Sequence, residues 1–486
     1  MKKYINWILM LLVFTSCDDF LDETPEAYRT PQGFFETVQE IDQAVAGIYV
    51  SNRSLYTEQL QLRFGESRSD NTNIESTGDS GGIDDDELNE FTMQANNSRI
   101  GNYWSTNYQG ISRANFVLAN INRPDYPTVE AKNFREGEAL FFRTWFHFNL
   151  VRVFGDIPYV TKAGETPEEI RSEEFLIRDP ADEVYASLLV DADKVISLLP
   201  TPSAIKADDK GRATKGAALM LKAKIHMAQQ QYQQAIPLLE QITTLGYGLL
   251  PNYVDVFKTK NHIENIFEIQ NSFPLGQTID LFTNFVPSVS GEEILGVGST
   301  PNNRGNQFRP TQDLIDLYVD GDARKDHNIS VYTDNVGNTY NWASKFAFPF
   351  VEPGEQDINV PMFRYADALL MLAECYAEAG GGDPATIIVT IRTRAGITNP
   401  ALSAAELADI TKTIADERRR ELAFEGHRFF DLLRRNELVS VMTAHGAQQV
   451  ADGLTVTANA YQNIRVLVGI PQGQVDQFGF QQTDGW

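Results

Sequence analysis

Apolar residues recur at three- and four-residue steps over two long stretches, roughly residues 34–250 and 362–437, which predicts helices packed on a shared core. The clearest case runs from Ala213 to Ile242. Ala217, Leu219, Met220, Ala223, Ile225 and Met227 mark one helix, a turn falls near Gln230-Gln231, and Tyr232, Ala235, Ile236, Leu238, Leu239 and Ile242 mark a second. Small residues on the first helix let the second approach closely, as in a tetratricopeptide unit. Tyr365 to Ala395 repeats the style, with a break at Gly380-Gly381-Gly382 and Pro384. Such units read as spaced copies, not as one unbroken array.

Between the two helical stretches, periodicity fails. Residues 251–361 are rich in Gly, Pro, Asn and aromatics, with β-like pieces such as Ile266-Phe-Glu-Ile269. Glu66 to Ser98 is a second irregular segment, and the tail after Ser440 a third. The expected fold is mainly α: tetratricopeptide-like helix pairs form a scaffold, and an irregular loop-rich half carries short β pieces. Residues 34–250 form an N-terminal helical part and 251–486 a C-terminal part, packed together as one globular unit. Long irregular loops in a compact chain are where a ligand surface is to be sought.

The N-terminus adds an address. Met1-Lys2-Lys3, an apolar run from Ile5 to Phe14 and Thr15-Ser16-Cys17 read as an export signal over residues 1–16. The apolar run is about half the roughly 20 residues that a spanning helix needs, so cleavage is the expectation. The small residues before Cys17 resemble the bacterial lipobox, in which that cysteine is lipidated, although Phe14 stands where an aliphatic is usual. Residues 17–33 then form an acidic tether. Cys375, the only other cysteine, lies at helical spacing and reads as a buried small side chain.

Removing residues 1–16 leaves 39 basic against 66 acidic side chains, taking the formal charge from −25 to −27. Such a surface repels nucleic acid and anionic headgroups. It leaves neutral sugars, peptides and metal ions open. The six histidines show no four-residue pair, and His-Glu-x-x-His, Gly-x-Ser-x-Gly and phosphate-cradling glycine motifs are absent. No cofactor or metal is expected. Asp84-Asp-Asp-Glu87 and Asp320-Gly-Asp322 lack the alternation of a calcium loop and read as solvated acidic turns. Glu417 to Arg434 reads as one helix with surface ion pairs at four-residue steps, each worth a few tenths of a kcal/mol.

Ordered motifs run along nearly the whole chain: Cys17-Asp-Asp-Phe-Leu-Asp22, Trp104 with Gly110-Ile-Ser-Arg-Ala-Asn115, and Glu138-Ala-Leu-Phe-Phe-Arg143 leading to Val153-Phe-Gly-Asp-Ile-Pro158. Gly246 to Tyr253, Pro310 to Tyr318, Asp320-Gly-Asp322 with Arg324, Phe363 to Leu370 and Glu417 to Arg434 complete the series. In this order they resemble the SusD/RagB nutrient-binding lipoproteins of the Bacteroidetes. The resemblance implies a binder, not an enzyme, lipid-anchored at Cys17 and exposed on the outer membrane. It also implies a partner, a SusC-like TonB-dependent transporter, to which a glycan or, in some relatives, a peptide is delivered. A secreted glycoside hydrolase and a protein-binding scaffold are the alternatives.

Sugar recognition needs an aromatic face with planar polar neighbours. In the irregular segments that combination singles out Arg68, Asp70 and Asn73, then Asn96, then Arg304, Gln307 and Phe308, and finally Tyr340, Asn341 and Trp342. Trp342 is the leading stacking candidate. Trp104 and Trp145, in helical segments, read as core.

Overall fold

The computed structural model describes residues 34–486 except 75–81, 297, 299–304 and 455. The export signal, Cys17, the acidic tether and Arg304 therefore lie outside the described residues. The helices begin at α1 (Val38–Thr57), where Thr37 and Glu40 form a reciprocal capping box that satisfies first-turn N–H groups. They continue through α2 (Ile83–Glu90), α3 (Ser98–Asn120), α4 (Val129–Phe154), α5 (Ala181–Leu198), α6 (Lys215–Ala228) and α7 (Tyr232–Thr243). After the irregular stretch come α8 (Tyr365–Ala379), α9 (Pro384–Arg394), α10 (Ile410–Leu422), α11 (Arg428–Arg434), α12 (Leu438–Ala451) and α13 (Gln472–Phe478).

From α3 to α9 each of these helices packs on the next, and α7 packs on α8 across the excursion between them. The two helical stretches thus join into a continuous array, where the sequence reads as spaced copies. The excursion leaves the array and returns to it, so a periodicity search sees two pieces. Small residues set the spacing: a Cβ on Gly110 of α3 would sit 2.2 Å from the Phe146 ring of α4. The packed faces carry one large core that includes Trp104 and Trp145, as expected, and the buried thiol of Cys375.

Three two-stranded antiparallel ladders organise the irregular half: β1 (Thr72–Asn73) with β3 (Arg309–Pro310), β2 (Asn265–Ile269) with β6 (Val360–Arg364), and β4 (Ile329–Thr333) with β5 (Thr339–Ala343). β2 sets Phe267 against Phe141 and Phe142 of α4, and β6 runs directly into α8, so this ladder bolts the irregular half to the array.

Four further expectations are corrected. The tail after Ser440 is not wholly irregular, because α12 and α13 lie in it; Trp486 closes it, its Nε1 donating to the Leu467 carbonyl at 3.2 Å beneath the Arg465 guanidinium. Asp84 to Glu87 is no solvated turn. It opens α2, where the helix dipole favours acids, and Asp85 is buried in a pair with Arg63 at 2.7 Å and Arg99 at 2.8 Å. Asp322, likewise buried, caps a short helix and is paired with Arg324.

The largest correction concerns Glu417 to Arg434. It is broken between α10 and α11, where Phe424 and Gly426 take φ of 65° and 78°. The close approach of Gly65 to the Gly426 carbonyl leaves no room there for a Cβ. Its charges are buried from Glu417 to Glu421 and half-buried from Glu425 to Arg434, not superficial. Glu417 takes Arg324, Arg392 and Arg420; Glu421 takes Arg324, Arg364 and Arg394; Asp431 takes Arg418 and Arg434. Burial alone would raise the Glu417 carboxyl, but Arg324 and Arg420 outweigh it and hold it at about 2. Four-residue spacing does not distinguish a solvated charge stripe from one buried between α8, α9 and β6. Only the packing does.

Candidate functional site

The β4–β5 hairpin carries the sequence candidates Tyr340, Asn341 and Trp342 and builds an aromatic surface around them. Its turn, Asp334 to Asn338, is tied by the Asp334 carboxylate, which accepts from the backbone N–H groups of Val336 (3.0 Å) and Asn338 (2.9 Å) and from the Asn338 side chain (2.9 Å). Gly337 supplies the left-handed residue, φ 92°. Registry sets Tyr332 opposite Tyr340 and Ser330 opposite Trp342. Because side chains alternate along a strand, Tyr332, Tyr340 and Trp342 share one face.

That face lies on a small cluster of its own, separate from the main core: Phe282, Val286, Leu295 and Trp342, with Tyr332, Ile294, Ala347 and Phe350 partly buried around it. The Trp342 ring stacks on Phe282 at 5.9 Å and 27°. Tyr332 and Tyr340 stand outside it as a half-buried pair, ring centroids 6.4 Å apart. Tyr332 donates to Glu293 at 3.1 Å and Tyr340 to Asp334 at 3.2 Å. Partial desolvation and the bond to Glu293 both raise the Tyr332 hydroxyl. Slight desolvation of Asp334 is outweighed by the Asn338, Val336 and Tyr340 hydrogen bonds, which hold its carboxyl below the usual value. The result is an aromatic surface edged by hydroxyl, carboxylate and amide groups, the chemistry that grips the apolar face and the hydroxyls of a pyranose.

The sequence candidates separate sharply. Tyr340, Asn341 and Trp342 come together on β5. Trp342 is corrected from a stacking surface to the floor beneath one, because it is only 7% exposed and its ring faces Phe282. Arg68 leaves the site: it is fully buried, its guanidinium 4.1 Å from the Phe429 ring, and burial lowers it to about 9. Asp70 leaves it too, held by Arg428 at 2.7 Å and Arg419 at 3.1 Å. Gln307 accepts from Arg63 at 3.1 Å, and Phe308 stacks on Phe285 at 4.8 Å, so both are structural. Asn73 is nearly buried in the β1–β3 ladder, and Asn96 is exposed before α3, outside the hairpin. Tyr332, Glu293, Asp334 and Asn338 were missed. An alternating Ile-Ser-Val-Tyr-Thr run followed by a turn containing Asp, Asn and Gly was the available signal.

Two family models match: one described as the SusD family over residues 337–486, the other as starch-binding, associating with the outer membrane, over residues 19–227. The chain belongs to the SusD/RagB family. It is 26% identical to SusD-like protein P25 of Formosa agariphila, with 91% of each chain covered. It superposes on a laminarin-binding SusD-like protein with a TM-score of 0.73 at 24% identity, covering 93% of this chain and 100% of that one. A surface glycan-binding protein A from Bacteroides thetaiotaomicron, solved with laminarihexaose, gives 0.72 at 21% identity, covering 92% and 99%. Within the SusD/RagB fold the matched models leave out residues 228–336, which carry β4, Glu293 and Phe282.

Proposed function

We propose that the chain is a non-catalytic binder of a neutral glycan, lipid-anchored through Cys17 on the cell surface, which passes its ligand to a SusC-like TonB-dependent transporter in the outer membrane. The observation that carries the reading is the Tyr332–Tyr340 pair on its aromatic floor, edged by Glu293, Asp334 and Asn338. Its two carboxylates, together with the chain's excess of acidic side chains, favour a neutral sugar over a sulfated or uronic one. Relatives named as binders of laminarin and other surface glycans support the ligand class.

Calorimetric titration with a panel of neutral glycans, laminarihexaose among them, tests the reading. Wild type binds at least one member and Tyr332→Ala/Tyr340→Ala does not, while reducing ends stay constant on prolonged incubation. Binding that survives the double substitution moves the site off the hairpin. Release of reducing ends makes the chain a hydrolase. Cys17→Ala is expected to release the protein from the membrane fraction, and retention there refutes the lipid anchor.

A further inference from the structure

Away from the hairpin, α4, α5, α6, α8, α10 and α11 surround a cavity of about 430 Å3. Met227, Met371, Leu433 and Phe148 give it an apolar wall. Its charged lining is reversed relative to the chain. Acids outnumber bases 66 to 41 overall, yet Arg152, Lys224, Arg418 and Arg434 face this space with Asp431 as the one carboxylate of the lining.

Three of the four cations are matched. Lys224 pairs with Asp367 at 2.6 Å, Arg418 with Asp367 at 2.9 Å and Asp431 at 3.0 Å, and Arg434 with Asp431 at 2.9 Å and with Glu374. Arg152 is the cation left over. Among the described residues no carboxylate pairs with it; its Nη2 donates to Asn149 at 2.5 Å, and its buried Nε meets no acceptor. The guanidinium lies 3.7 Å from the Phe430 ring centroid and 4.6 Å from that of Phe148. Ring faces attract a cation more weakly than a carboxylate does and accept no in-plane hydrogen bond from its edge. Burial lowers the Arg152 pKa, and the nearby hydroxyls of Tyr103, Tyr185 and Tyr56 restore it only in part.

We propose that this cavity binds a small organic anion, its acidic head on Arg152 and its apolar body against Met227, Met371 and Leu433. The volume falls within the roughly 300–1,000 Å3 of small-molecule sites, and a lining that is apolar on one side and cationic on the other matches a ligand built the same way. The chain's overall negative charge does not forbid it, because exposed charges beyond about 8 Å are screened at physiological salt while Arg152 acts at contact.

Calorimetry with 4-phenylbutyrate and its neutral counterpart 4-phenylbutan-1-ol tests the proposal on the full mature chain. The carboxylate is expected to bind about tenfold more tightly than the alcohol or better, the scale of one charge-assisted hydrogen bond. Arg152→Met should erase that difference. Ala228→Trp, at a partly exposed position where α6 ends on the cavity, should block both compounds, and it carries the test if the arginine variant does not fold. Equal binding of acid and alcohol, no binding of the acid at millimolar concentration, or binding indifferent to both substitutions overturns the proposal. Laminarihexaose binding should be unchanged in both variants, since the cavity shares no residue with the hairpin.

Discussion

Two regions of the chain are held by opposite means. Around α8 to α11, stability rests on buried ion pairs that join residues far apart in sequence: Arg364 alone reaches Glu264, Glu421 and Glu425. The β4–β5 hairpin instead rests on a four-residue apolar cluster and a turn tied by one carboxylate. A buried charge network is costly to assemble and intolerant of change, because deleting one partner strands another without solvent. A small apolar cluster tolerates substitution on its outer face.

Breaking the scaffold side should give the largest effect. Glu421→Ala leaves the buried Arg324 and Arg364 and the nearly covered side chain of Arg394 short of a carboxylate, and should destabilise the whole protein by about 3–5 kcal/mol. Urea unfolding followed by far-UV circular dichroism measures it; a loss below about 1 kcal/mol would mean that the network is solvated and the contrast false. The same network should make stability depend on acid. Glu417 sits at about 2 when folded against an ordinary 4.5, so its contribution is present above the unfolded value and is lost as pH falls from about 4.5 towards 2. A midpoint of urea unfolding that drops across this window in wild type, and drops less in Glu417→Gln, is the expected outcome.

Much of the scaffold was legible because helical periodicity is local: Ala213 to Ile242 is α6 and α7 within a residue or two. The Glu417 to Arg434 block was visible as pattern but misread as surface, since spacing shows which residues share a helix face and not what covers that face. On the hairpin, Tyr340, Asn341 and Trp342 were found by composition. Which of them faces outward depends on registry with Tyr332 and on the floor supplied by Phe282. Arg68, Asp70 and Gln307 failed for the same reason in reverse. Polar residues in an irregular segment look solvent-facing until Phe429, Arg428 and Arg63 are placed against them.

On the hairpin side the effects should be smaller and confined to binding. Tyr340→Ala removes one of two half-buried rings and should weaken glycan affinity by about 1 kcal/mol, roughly fivefold, without moving the thermal midpoint. A shifted midpoint would mean that the ring is holding the hairpin.

Trp342→Phe should do least. The substitution keeps an aromatic ring on Phe282 and removes the indole Nε1, which is buried without an acceptor, so lost apolar contact is offset in part by relief of an unmet hydrogen bond. Stability should change by less than about 1.5 kcal/mol, in the range of a tolerated core exchange, and glycan affinity should stay within a factor of two or so. The two substitutions bracket the ligand's position. Affinity lost in Tyr340→Ala and kept in Trp342→Phe puts the sugar on the outer tyrosine face, with the tryptophan as its support. Affinity lost in Trp342→Phe and kept in Tyr340→Ala would require the Phe282 stack to open on binding, and would restore Trp342 as the residue that meets the ligand.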